Sequence, residues 1–193
     1  LNLGERYTAG FARSLLIAAP HIGAAEHFLL CTPDHIFDAE RVRQMRAAET
    51  LQAAAVALVE TDPFALQGLP PTAVGVEMLA PDGRGARRIH SIRSKDARTP
   101  SFTGVEAGLY LCGPSFMSAL SAIASPQPLA YVTLAQAMQL LAARGSLYAS
   151  LTGGRSWFAV ETTSQLDEAS RLIESDSSEC LFVENSRPVP ETE

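Results

Sequence analysis

The run His27-Phe28-Leu29-Leu30-Cys31, closed by Thr32-Pro33-Asp34, constrains the fold of this chain more than any other segment. A short apolar run bounded by turn residues is the pattern of a strand buried on both faces. It delivers a carboxylate, Asp34, at its carboxyl end, which is where open α/β sheets place their ligands. Asp38 can then cap a helix whose inward side carries Val42 and Met45, and Ala53 to Val59 returns as a second apolar strand. Strand, helix, strand implies a right-handed crossover and a parallel pair.

The flanking segments extend this α/β pattern. Gly10 to Ala19, which carries Phe11, Leu15 and Ile17, predicts a short helix that Pro20 stops. Val74 to Leu79, the turn residues Pro81-Asp82-Gly83, and Ala86 to Ile92 predict an antiparallel hairpin. Ala107 to Cys112 supplies a further strand, and Gly113-Pro114 opens a helix at a position where the missing proline amide costs nothing. Thr133 and Gln136 have capping-box spacing ahead of Leu134, Ala137, Met138 and Leu141, and Gly145 follows the last turn. Trp157 to Val160 predicts a strand, followed by a helix with Leu166, Ala169, Leu172 and Ile173 on one face.

With 193 residues the chain can bury one sizeable core, so a single domain is expected over 1–174. Residues 175–193 turn to Ser, Glu and Pro and predict an acidic tail without fixed structure. A net charge of −6 gives no broad basic surface and argues against nucleic acid as a partner. A small phosphorylated ligand needs only a few local cations and amides. No apolar run reaches the length of a membrane span. Three cysteines, an odd number, with Cys31 and Cys112 in apolar runs, fit small core residues in a reducing, cytoplasmic setting.

From the residues alone Asp34 has two readings: a carboxylate that holds Mg²⁺ against substrate phosphates, or an ordinary turn aspartate. The four histidines, at 21, 27, 35 and 90, have no spacing that suggests a shared zinc site. His35, beside Asp34, reads either as a partner that orients it or as a locally packed ring.

Phe28 to Phe37, reading FLLCTPDHIF, resembles the strand and acidic turn of nucleotidyltransferases, and its Asp-His pair is similar to inositol-1-phosphate cytidylyltransferases in particular. Four further stretches match in the same order. Asn2 with Ser14-Leu15-Leu16 and Ala18 resembles the segment before the acidic strand. Ile92-Arg93-Ser94-Lys95 with Phe102 to Cys112 is similar to the lysine-bearing segment and glycine-containing strand. The helix from Thr133, and Gly154 to Thr162, resemble the closing portion. The resemblance covers roughly Asn2 to Ile173.

The resemblance implies a Rossmann-like three-layer α/β/α mixed sheet, incomplete at its N-terminus. It implies transfer of a nucleotidyl group, cytidylyl in the closest case, from a nucleoside triphosphate to a sugar or polyol phosphate such as inositol 1-phosphate, with release of pyrophosphate. Asp34 would bind catalytic Mg²⁺; Glu161, on the same side of its strand as Ala159, would be a nearby second carboxylate in partial compensation for the aspartate expected there. Lys95, the only lysine in the chain, would neutralise phosphate charge. Glu106 would accept a hydrogen bond from an acceptor hydroxyl, and Gly108 would let a ligand approach the backbone. Each has a plainer reading: a solvated lysine, a glutamate facing water, a glycine that relieves strand packing. Trp157 likewise reads as a core residue rather than a ligand platform.

Two departures weigh against activity. The family's N-terminal strand and glycine-rich Arg/Lys loop, which cradle the triphosphate, have no counterpart before Ser14. Ala159 stands where the resemblance implies a metal-binding aspartate. The alternative expectation is therefore an inactive or truncated homologue that serves as a binding or regulatory domain.

Overall fold

The computed structural model describes residues 11–22, 27–51, 53–63, 66, 73–94, 102–124, 132–153, 157–160 and 162–175. Their helices are α1 (Phe11–Ile22), α2 (Ala39–Ala47), α3 (Pro114–Ala124), α4 (Leu134–Ala143) and α5 (Thr163–Ser175), with a 3-10 turn over Ala48–Leu51. The strands are β1 (Phe28–Cys31), β2 (His35–Phe37), β3 (Ala55–Glu60), β4 (Val74–Met78), β5 (Arg87–Ser94), β6 (Gly104–Cys112), β7 (Leu147–Leu151) and β8 (Trp157–Ala159).

Six strands form a mixed sheet in the order β1-β6-β3-β7-β5-β4, and β4 also pairs with the start of β6. The β4–β5 hairpin thus bridges from β7 back to β6. β3 and β7 are parallel, while β6 runs antiparallel to both β1 and β3. The carboxyl ends of β1, β3 and β7 therefore lie at the same edge, the one on which Asp34 follows β1.

Period-two alternation gives the sheet two apolar faces. Ala55, Ala57 and Val59 of β3, with Tyr110 and Cys112 of β6, join a core that includes Ala12 and Leu15 of α1, Phe116 and Leu120 of α3, and Met138 and Leu141 of α4. Val56 and Leu58, with Ala107, Leu109 and Leu111, face the other way and pack with Met45 and Val42 of α2, Phe37 and Trp157. The two faces make the three-layer α/β/α arrangement. On the second face the outer layer includes a two-stranded antiparallel sheet of β2 and β8.

Local signals act as the sequence predicts at both caps. Asp38 accepts from the Arg41 amide at 2.6 Å, and Thr133 and Gln136 form the reciprocal capping box. The hairpin is antiparallel, with Asp82 Oδ1 accepting from the amides of Arg84 and Ala86 across the turn.

Other expectations are corrected. β1 and β3 run in the same direction but do not pair, because β6 lies between them. Helix α1 continues through Pro20 to Ile22, since a proline in the last turn forfeits a single helical amide. Leu166 is 53 % exposed and does not face the core, whereas Ala169 does. Of the two described cysteines, Cys31 is exposed at the end of β1 and Cys112 behaves as a core residue. β6 begins at Gly104, and β2 and β7 are strands that periodicity did not mark. Among the described residues no helix is long and apolar enough to cross a membrane.

Candidate active site

The chain turns sharply after β1, and the Thr32 amide donates to the Gly108 carbonyl of β6 at 2.9 Å. β6 is irregular here: between Ala57 and Val59 of β3 its register advances from Tyr110 to Glu106, leaving extra residues to bulge. Gly108 has φ +75°, a conformation glycine adopts without strain. A Cβ at this position would collide with Thr32 Oγ1 and come within 3.0 Å of the His35 ring. The bulge and the acidic turn therefore interlock at a point where only glycine fits.

His35 is the hub of this turn. Its Nδ1 lies 2.8 Å from Asp34 Oδ1 and 2.8 Å from Thr32 Oγ1. Its ring stacks against Trp157, with centroids 5.4 Å apart, and against Phe37 at 6.1 Å. The Val160 amide donates to the Asp34 carbonyl at 2.7 Å, and His35 is in register with Ala159. Two segments more than a hundred residues apart are thus joined at the predicted acidic position.

The carboxylates differ in environment. Burial pushes the Asp34 carboxyl up, but the hydrogen bond and charge of His35, aided by Thr32, outweigh it and hold the group below its usual range. The Asp34 side chain is 49 % exposed. Glu106 Oε2 accepts from the Gly108 amide at 2.9 Å and from the Tyr110 hydroxyl. Burial raises its pKa against those two bonds, and the nearby charge of Asp34 adds to the rise. Tyr110 is pushed well up, first by burial and then by Glu106.

Glu60, which ends β3, stands behind the candidate site and is a residue that the sequence reading missed. Only 2 % exposed, it accepts from the amides of Thr61 and Asp62 at 2.7 Å through Oε1, and from Trp157 Nε1 at 3.1 Å through Oε2. The rule that singled out Asp34, a polar residue at the carboxyl end of an apolar strand, applies equally to Glu60. Arg41 of α2 donates to the carbonyls of Leu151 and Thr152, fixing the end of β7 nearby.

Of the sequence-predicted site residues, the structure brings Asp34 and Gly108 together and places Glu106 beside them. Lys95 and Glu161 lie outside the described residues. Ala159 offers a methyl opposite His35 rather than a ligand. Among the described residues no three His, Cys, Asp or Glu side chains are arranged to hold a metal ion. An open cleft of about 400 Å³ lies farther along the same edge, against Thr61, Thr103, Arg87 and Leu151. None of the predicted residues lines it, and its chemistry is a single cation with two hydroxyls.

No protein-family model and no curated protein matches the sequence. Solved structures do match in fold. Apo UDP-glucose pyrophosphorylase superposes with a TM-score of 0.72 at 15% identity, over 89% of this chain and 62% of that one. UDP-glucose pyrophosphorylase complexed with UDP-glucose gives 0.68 at 16% identity, over 86% and 62%. The inositol-1-phosphate CTP transferase from T. maritima gives 0.64 at 16% identity, over 86% and 61%. The fold is the nucleotidyltransferase fold, and the chain spans about three fifths of the length of these structures.

Proposed function

We propose that this chain is part of a nucleotidyltransferase that moves a nucleotidyl group, cytidylyl first among the candidates, from a nucleoside triphosphate to a sugar or polyol phosphate such as inositol 1-phosphate. The observation that carries this reading is the convergence of Asp34, His35 and Thr32 with the Gly108 bulge at the carboxyl edge of a nucleotidyltransferase-type sheet. An oxygen of the acceptor phosphate would attack the α-phosphorus. The bond from that phosphorus to its bridging oxygen would break, and pyrophosphate would leave.

The donor set suits Mg²⁺ that arrives with phosphate. Mg²⁺ commonly keeps several waters and takes one or two carboxylates plus substrate oxygens. A half-exposed, ionised Asp34 provides one such carboxylate, and Glu161 is the second we assign from the sequence. Bound there, Mg²⁺ would offset charge on the reacting phosphate. His35 keeps Asp34 ionised and oriented, and Lys95 supplies a cation for the acceptor phosphate. Glu106, whose Oε2 is engaged inside the bulge, has Oε1 to accept from an acceptor hydroxyl.

Ala159 favours a second reading, in which the chain binds a phosphorylated sugar or polyol without turnover, as a regulatory domain. Pyrophosphate release from CTP with Mg²⁺ separates the two. The enzyme reading expects release only when inositol 1-phosphate or another acceptor is added, and its loss in Asp34→Ala. No release with any nucleotide, alongside saturable binding of the acceptor, would establish the second reading and overturn the first.

A further inference from the structure

Glu60 is a carboxylate in the interior of the sheet edge, 2 % exposed, with its three hydrogen bonds all coming from N–H donors. Among the described residues no cation pairs with it. An ionised group so placed is costly unless its donors hold it, and those donors are in turn fixed by it. Two of them shape the turn after β3. The third is the indole of Trp157, a residue of the separate two-stranded sheet.

This third bond joins the main sheet to the acidic turn. Trp157 is in register with Phe37, and its ring stacks on His35 at 5.4 Å with the planes 14° apart. His35 Nδ1 in turn meets Asp34 Oδ1 at 2.8 Å. A rotation of the indole would therefore move the imidazole, and with it the carboxylate.

We infer that Glu60 is a positioning residue for Asp34, acting through the Trp157 indole and the His35 ring. The inference rests on the reading of Asp34 as the carboxylate that faces Mg²⁺ and phosphate. Groups that orient a metal-facing ligand from behind are typically worth roughly 10- to 100-fold in metal affinity or activity when removed.

Trp157 is the only tryptophan in the chain, so its indole N–H gives a single NMR signal. Glu60→Gln retains the shape but replaces one acceptor oxygen with a donor. It is expected to shift that signal, speed its hydrogen exchange, and reduce the ring-current shift of the His35 protons. With Mn²⁺ as the probe, broadening of the His35 signals should require roughly 10- to 100-fold more metal in Glu60→Gln than in the parent. Trp157→Phe, which keeps a ring but lacks the donor, should weaken Mn²⁺ binding similarly, and the double variant should lose nothing further. Unchanged His35 shifts and Mn²⁺ response in folded Glu60→Gln would overturn the inference, as would additive losses in the double variant. Should Glu60→Gln fail to fold, an unchanged Mn²⁺ response in Trp157→Phe overturns it alone. Asp34→Asn separates the two levels: if it leaves Mn²⁺ broadening intact, the metal reading of Asp34 fails, and the His35 shifts alone decide the role of Glu60.

Discussion

His35 Nδ1 and Asp34 Oδ1 meet at 2.8 Å on an exposed turn, and Thr32 Oγ1 lies at the same distance from that nitrogen. Burial raises the Asp34 carboxyl, yet the hydrogen bond and charge of His35, together with bonds from the Asp34 amide and Thr32, outweigh it, so the folded pKa is depressed. A depressed carboxyl stabilises the fold above its unfolded pKa and loses that contribution as pH falls through the folded value. The window lies on the acid side of the ordinary aspartate range, and solvent screening keeps the contribution small. His35→Phe is expected to move the Asp34 titration upward, followed by the carboxyl carbon signal in NMR. A titration that stays in place would show that other groups hold the carboxylate.

Glu106 titrates in the opposite sense. Its folded pKa is raised by burial, so its contribution to stability is complete below the unfolded pKa and is lost as pH rises through the folded value. Glu106→Gln can still accept from Gly108 and Tyr110, and it carries no charge to desolvate. Urea unfolding should show the variant gaining on the parent as pH moves from mildly acidic to neutral. An equal difference at both would refute the assignment.

Gly108→Ala combines two costs. A left-handed backbone disfavours a side chain by about 1–2 kcal/mol, and overpacking against Thr32 and the His35 ring adds about 1–3 kcal/mol. The expected loss is roughly 2–5 kcal/mol in chemical denaturation. A loss under about 1 kcal/mol, less than either cost at its usual size, would mean that the bulge relaxes freely.

Thr133→Ala probes the fold away from the site. It removes the side-chain acceptor for the Gln136 amide at the start of α4 and should cost about 0.5–2 kcal/mol. Mn²⁺ broadening of His35 should be unchanged in this variant, which makes it a control for stability loss alone.

The features legible in the sequence are those encoded within a few residues. The Asp38 cap, the Thr133 capping box and the Pro81-Asp82-Gly83 turn are local hydrogen-bond patterns, and each forms where its residues predict. Strand order is not local. Nothing within Phe28 to Val59 signals that β6 will insert between β1 and β3, because the partner lies more than forty residues downstream. The three-residue strands β2 and β8 are too short for alternation to mark the first, and their pairing spans most of the chain. Glu60 follows the apolar run Ala55 to Val59 as its first polar residue, and its partner Trp157 lies almost a hundred residues downstream, so no local pattern marks that pairing. The resemblance singles out Asp34 and Gly108, whereas the packing of His35, Trp157 and Glu60 behind the acidic turn depends on contacts across most of the chain.

The two described cysteines should differ sharply towards alkylating agents. Cys31 is exposed at the end of β1, whereas Cys112 is fully buried in β6 and burial pushes its thiol far up. The thiolate is the reactive form, so Cys31 should label first and Cys112 only as the chain unfolds. The Cys31 thiol is itself raised, by partial burial and then by the charge of Asp34. Removing that charge in Asp34→Asn should increase its thiolate fraction and speed its alkylation at a given pH. Peptide-resolved mass spectrometry follows each cysteine separately. Equal rates for Cys31 in parent and variant would show that the Asp34 charge does not reach the thiol, and early labelling of Cys112 would contradict its place in the core.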